Sequence, residues 1–119
     1  MLIKESITVG HHVLKNRMVK APIHSETCVN GKITGDTERH YDARAKGGRF
    51  GLVVVEHSFV RQDGMASATQ LSSSRDSDIE GLRRLCNIIH KYGSKAILQI
   101  SHAGCGALRS VTGEEPVSA

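Results

Sequence analysis

Apolar positions concentrate in three short runs, at residues 18–23, 50–55 and 96–100, each too short for a helix and rich in Val or Ile. Such runs predict buried β-strands. Two helical patterns lie between them. The first covers residues 37–46, with Asp36 or Thr37 as its expected N-cap and Gly47-Gly48 as its stop. The second opens on Ser77-Asp78-Ile79-Glu80, which fits a capping box, a Ser hydroxyl and a Glu carboxylate satisfying free backbone N–H groups reciprocally. Ile79, Leu82, Leu85, Cys86 and Ile89 then recur at helical spacing, Tyr92 extends the stripe, and Gly93 supplies the C-terminal turn.

Strand, helix, strand, helix, strand, with apolar strands throughout, predicts an α/β fold with parallel pairing, because a sheet covered by crossover helices needs no polar face. Residues 7–9 and 13–17 are expected to form a small hairpin around Gly10-His11 ahead of the first parallel strand. The 119 residues, 39% of them apolar, are read as one domain at most, spanning 1–119. Its stability margin is expected to be thin, since even a domain of about 150 residues buries only about 70% of its unfolded surface.

Composition removes several function classes. The formal charge is +4, but the 16 Lys and Arg are scattered among 12 acidic residues, and with 3% aromatics there are few rings for base stacking. Nucleic acid is therefore not an expected partner. Cys28, Cys86 and Cys105 are far apart and form no C-x-x-C pair, so they are read as three reduced thiols rather than metal or cluster ligands. Met1-Leu2-Ile3-Lys4-Glu5 has no apolar leader pattern and no stretch approaches the 18 or so apolar residues of a span, so no membrane role and a cytoplasmic location are expected.

In parallel α/β folds, ligands gather at the C-terminal ends of the strands. The three predicted strands end in Pro22-Ile23-His24-Ser25-Glu26, Glu56-His57-Ser58 and Gln99-Ile100-Ser101-His102, so His24, His57 and His102 are expected on one face. Three imidazoles could ligate a metal. No H-x-H or H-E-x-x-H spacing supports that, and hydrogen-bonded loop histidines are the favoured reading, with no metal site. Gln99 carries both a donor and an acceptor, which suits the edge of a flat heterocycle, although an isolated Gln is more often simply polar. Gly47-Gly48-Arg49-Phe50-Gly51 precedes a strand, whereas a dinucleotide fingerprint follows one.

The residues themselves resemble a known family. Leu14-Lys15-Asn16-Arg17-Met18-Val19-Lys20-Ala21-Pro22-Ile23 is similar to the opening strand motif of the Old Yellow Enzyme family. Tyr41 and Arg44-Ala45-Lys46-Gly47-Gly48, the strand Gly51-Leu52-Val53-Val54-Val55-Glu56, and Gln70-Leu71 follow in the family's order. Ile79-Glu80-Gly81-Leu82 and Ile89-His90-Lys91-Tyr92-Gly93-Ser94-Lys95 resemble its second helix and exit, and Ile97-Leu98-Gln99-Ile100-Ser101-His102-Ala103-Gly104 its glutamine-leucine-x-histidine-x-glycine signature. The resemblance covers nearly the whole chain and is closer to the enoate and 2,4-dienoyl-CoA reductase branch than to the yeast-type branch.

It implies a TIM (β/α)8 barrel holding FMN at its C-terminal mouth, with NAD(P)H as hydride donor and an activated alkene, an enone or enoyl thioester, as substrate. Carried over residue by residue, it implies that the Pro22 and Ile23 backbone lies along the isoalloxazine, His24 beside the flavin edge, His57 near the ring, and Gln99 on the pyrimidine portion. His57 stands where relatives have a small Ala or Gly, and Cys105 where they have Arg. A complete barrel takes about 250 residues. The chain is therefore expected to be the first three β/α units of a truncated barrel. The substrate-holding pair, the tyrosine proton donor and the FMN-phosphate residues of the family would lie beyond residue 119, and a 4Fe-4S or FAD domain only in a longer parent. On this reading the isolated chain is inactive, binds FMN weakly or not at all, and forms a homo-oligomer through its open edges. The alternative is a non-catalytic, self-associating or partner-binding module.

Overall fold

The structure, a computed structural model, describes residues 2–118. The chain opens with an antiparallel hairpin of β1 (Ile7–Val9) and β2 (His12–Leu14), Ile7 opposite Leu14. Gly10 takes the positive φ of +59° that the tight turn demands. The main sheet is parallel and centred on β4 (Leu52–Phe59). β3 (Val19–Lys20) and β6 (Lys95–Ser101) flank it, and the two-residue β5 (Leu71–Ser72) joins at its C-terminal end, pairing with Ser58 and Phe59. Helix α1 (Gly35–Ala45) connects β3 to β4, α2 (Ile79–His90) connects β5 to β6, and a one-turn α3 (Arg109–Thr112) follows.

Among the described residues the helices cover one face of this sheet. Val53 and Val55 of β4, with Ala96 and Leu98 of β6, pack under the helices against Tyr41, Leu85 and Ile89. The alternate residues Val19 and Ile97 are half exposed, at 50% and 52%. Period-two alternation thus separates a dry helix-side core from an open inner face. The apolar character of the inner face fits a strand system buried on both sides.

The local elements depart from the sequence pattern where side-chain hydrogen bonding intervenes. The first strand stops at Lys20 rather than running to residue 23, because Pro22 has no N–H to continue the ladder. The second runs to Phe59, well past residue 55, through a bulge between Val55 and Ser58. Helix α1 starts earlier than expected, and its cap is Thr34: the Thr37 N–H donates to the Thr34 hydroxyl at 3.3 Å and the Thr34 N–H to the Thr37 hydroxyl at 3.1 Å. The Ser77–Glu80 capping box does not form. Ser77 accepts from Lys32 Nζ at 2.6 Å, and the carboxylate of Asp78, last residue of a 3-10 turn over Asp76–Asp78, accepts the Arg75 N–H at 3.2 Å and the Ser72 hydroxyl at 2.6 Å. On α2, Leu85 and Ile89 are buried as the stripe predicts, while Ile79 remains exposed.

Candidate functional site

The polar strand ends gather around the bulge in β4. There one extra residue lets Glu56 and His57, adjacent in sequence, occupy different surroundings. Glu56 is fully buried: its carboxylate accepts the Ser25 N–H at 3.0 Å and the Tyr41 hydroxyl at 3.2 Å, and its own N–H donates to that hydroxyl at 2.9 Å. Lys20 sits beside it, its ammonium 5.6 Å from the Tyr41 ring centroid and donating to the Ala21 carbonyl at 2.9 Å. Burial and the Arg44 charge lower the Lys20 pKa, while Glu56 opposes them.

His57 meets His24 edge to face, with ring centroids 5.1 Å apart. His24 Nε2 lies 3.3 Å from the Thr69 carbonyl. A carbonyl only accepts, so in this contact Nε2 is the donor. His57 Nε2 is buried with no hydrogen-bond partner among the described residues. Burial, then the neighbouring His24, holds the His57 imidazole below its ordinary pKa.

Between Ala21, whose carbonyl accepts Lys20 Nζ, and His24 lie half-buried Pro22 and Ile23, the latter 64% exposed. No hydrogen bond among the described residues uses the Ile23 or His24 amide. Gln99 lies opposite the bulge, between Leu98, which pairs with Val55, and Ile100, which pairs with Ser58. It shares its face with Ile97 and is exposed. A flat heterocycle with a donor–acceptor edge suits this set, which offers two backbone amides without a partner among the described residues, an imidazole and a free carboxamide.

The third histidine does not join the pair. His102 Nε2 points to Asp63 at 3.3 Å and its Nδ1 accepts the Gly104 N–H at 3.0 Å. No group of three or more His, Cys, Asp and Glu among the described residues could hold a metal ion. The ring is pinned against Gly64, where a Cβ would fall 2.3 Å from it. Buried Asp63 also takes Arg61 at 2.8 Å. Buried Gln70 bridges the Ala66 N–H and the Ser101 hydroxyl at 2.7 and 3.1 Å, shaping the same loop.

The sequence pattern alone gave no reason to pair His102 with Asp63, 39 residues away. Glu56 could have been noticed as a charge at the end of an otherwise apolar strand. A cleft of 470 Å³ lined by Val9, Leu14, Leu52, Lys95 and Ile97 opens at the other end of the sheet, away from these polar groups. Among the described residues no helix is long and apolar enough to cross a membrane.

Residues 3–118 match the NADH:flavin oxidoreductase / NADH oxidase family. The chain is 38% identical over 120 residues to the NADH:acrylate oxidoreductase of Vibrio harveyi, covering 99% of this chain and 12% of that protein. It is 37% identical over 99 residues to the NADPH dehydrogenase of Bacillus cytotoxicus, covering 82% of this chain and 28% of that one. Its fold matches the Old Yellow Enzyme homologue from Zymomonas mobilis with a TM-score of 0.87 at 23% identity, over 96% of this chain and 32% of that one. The chain thus spans less than a third of the length of these relatives.

Proposed function

The chain belongs to the NADH:flavin oxidoreductase / NADH oxidase family, and on that premise we propose that its protein is an FMN-dependent oxidoreductase carrying hydride from NAD(P)H to an activated alkene. An enone or an enoyl thioester is the substrate class. The observation that carries this reading is the juxtaposition at the C-terminal strand ends: the His24–His57 pair at 5.1 Å beside exposed Ile23, with Gln99 opposite the bulge.

When bound, FMN supplies a two-electron hydride relay at its ring. The work of this chain is to hold and orient that ring. Pro22 and Ile23 would offer backbone to the isoalloxazine, His24 its ring at the edge, His57 a flank, and Gln99 a carboxamide to the pyrimidine portion. These 119 residues correspond to the first three β/α units of the barrel, and taken alone they are inactive. The resemblance assigns the substrate-holding and phosphate-gripping groups to later strands. A 4Fe-4S or FAD site belongs only to a longer parent, and a cytoplasmic location is part of the same proposal.

The test is the protein as its native source makes it, purified without added cofactor. Flavin absorbance that survives gel filtration, bleaches with NADH or NADPH under anaerobic conditions and returns with an enone supports the reading. A colourless protein that takes up no FMN and oxidises neither nicotinamide overturns it. A second reading, a self-associating module without catalysis, is favoured by one observation: Ile97 and Ile100 are 52% and 67% exposed on the flanking strand β6. A homo-oligomer is expected under either reading.

A further inference from the structure

The loop from Ala21 to Ser25 is irregular backbone held at three points. Lys20 Nζ donates to the Ala21 carbonyl, His24 Nε2 donates to the Thr69 carbonyl, and the Glu56 carboxylate takes the Ser25 N–H. Of the three holds, only the last comes from a fully buried side chain whose other oxygen is also committed, to the Tyr41 hydroxyl. Tyr41 is itself fully buried in α1, so the carboxylate is referenced to the helix-side core rather than to a mobile surface group.

We propose that Glu56 is a positioning residue for the mouth of the barrel: through the Ser25 amide it fixes the Pro22–His24 backbone and the stance of the His24 ring against His57. The flavin-facing significance of that stance rests on the reading given above. The bulge makes the division of labour possible. With regular alternation, residues 56 and 57 would simply point to opposite faces. The extra residue instead lets Glu56 stay with the core while His57 turns to His24. Reach matters more than charge, since the side chain must span from Tyr41 to Ser25.

Glutamine keeps the reach and can accept the Ser25 N–H through its carbonyl oxygen, while its amide donates to the Tyr41 oxygen. Aspartate keeps the charge but is one methylene short. The experiment is site-resolved amide hydrogen exchange on the 119-residue chain and its E56Q, E56D and E56A variants, with Val53 and Val55 as internal references for the core. Loss of a hydrogen bond to a charged group predicts that Ser25 exchanges about tenfold faster or more in E56A and E56D. The His24 ring resonances should shift with it, E56Q should restore both, and the Val53 and Val55 amides should stay protected.

Should E56A unfold, E56D and E56Q carry the comparison. Ser25 exchange and His24 resonances unchanged in E56D overturn the proposal, as does loss of protection at Ser25, Val53 and Val55 together in E56D. The separate flavin reading is tested on the protein from its native source: a colourless protein that takes up no FMN counts against a flavin site here. The exchange data decide the role of Glu56 in either case.

Discussion

The Tyr41 hydroxyl closes a small ring of hydrogen bonds on Glu56, accepting the backbone N–H of that residue at 2.9 Å while donating to its carboxylate at 3.2 Å. Both residues are fully buried, so neither group has water as an alternative. Burial also pushes the Tyr41 phenol well above its ordinary pKa, which keeps the hydroxyl proton in place for donation. Tyr41→Phe leaves one buried N–H and one carboxylate oxygen without this partner, and the expected cost is about 1–3 kcal/mol. Urea unfolding followed by circular dichroism measures it, and a loss below a few tenths would mean that water or Lys20 replaces the hydroxyl.

The fold was more legible in the sequence than the site. Val53, Val55, Leu85 and Ile89 obey periodicities of 2 and 3.6, which a linear pattern carries directly. Thr34 as a cap and Asp78 as a hub were not visible, because a threonine pair and a carboxylate serving Lys32, Ser72 and Arg75 depend on which loops fold beside them. The strand-end rule brought His24 and His57 together. The same rule failed for His102 because Asp63, on a different loop, holds it elsewhere.

His57 gives the stability of the chain a dependence on mild acid. Its folded pKa lies below the ordinary value of about 6.5, so the unfolded chain binds the proton more readily. Its contribution is complete above about pH 6.5 and is lost as pH falls through the lowered folded value. His40, lowered by burial and then by Arg44, adds in the same direction. His57→Gln should flatten the stability curve between neutral pH and pH 5, while a curve of unchanged slope would assign the dependence to His40.

Asp78 acts at the acid end. Burial works to raise its pKa, but hydrogen bonds from Lys32, Ser72 and the Arg75 amide outweigh it and leave the folded value depressed. The contribution is therefore present above the unfolded pKa of about 3.9 and is lost as pH falls through the lower folded value. Asp78→Asn should weaken the chain at pH 7 and remove part of the acid limb. Thermal melts at pH 7 and pH 3 check both, and an equal loss at the two pH values would show that packing rather than charge is at work.

Gly31 combines two constraints. Its φ is +77°, and a Cβ there would lie 2.6 Å from Ser72 Cβ and 3.3 Å from the Phe59 ring. Its carbonyl also accepts the Ser72 N–H at 2.9 Å, so moving away would break the contact that seats β5. Strain at positive φ costs about 1–3 kcal/mol before any clash is counted. Gly31→Ala should therefore destabilise by at least that range, with faster amide exchange at Ser72, and a neutral effect would mean that the loop can retreat as a unit.

The inner face and outer edge of β6 set the behaviour of the isolated chain. Among the described residues β6 pairs with β4 alone, so its other edge leaves ladder groups unpaired beside exposed Ile97 and Ile100. An unpaired edge next to apolar side chains is a template for a second strand, and a charged residue there blocks the approach because its desolvation outweighs the backbone bonds gained. The chain should associate at micromolar concentrations, and Ile97→Lys with Ile100→Lys should shift it toward monomer. Both side chains are more than half exposed, so the double change should leave the helix-side core intact. Sedimentation velocity decides the point: a wild-type chain that is already monomeric would mean that the hairpin or the C-terminal segment shields this edge, and an unchanged oligomer in the double variant would move the interface to another face.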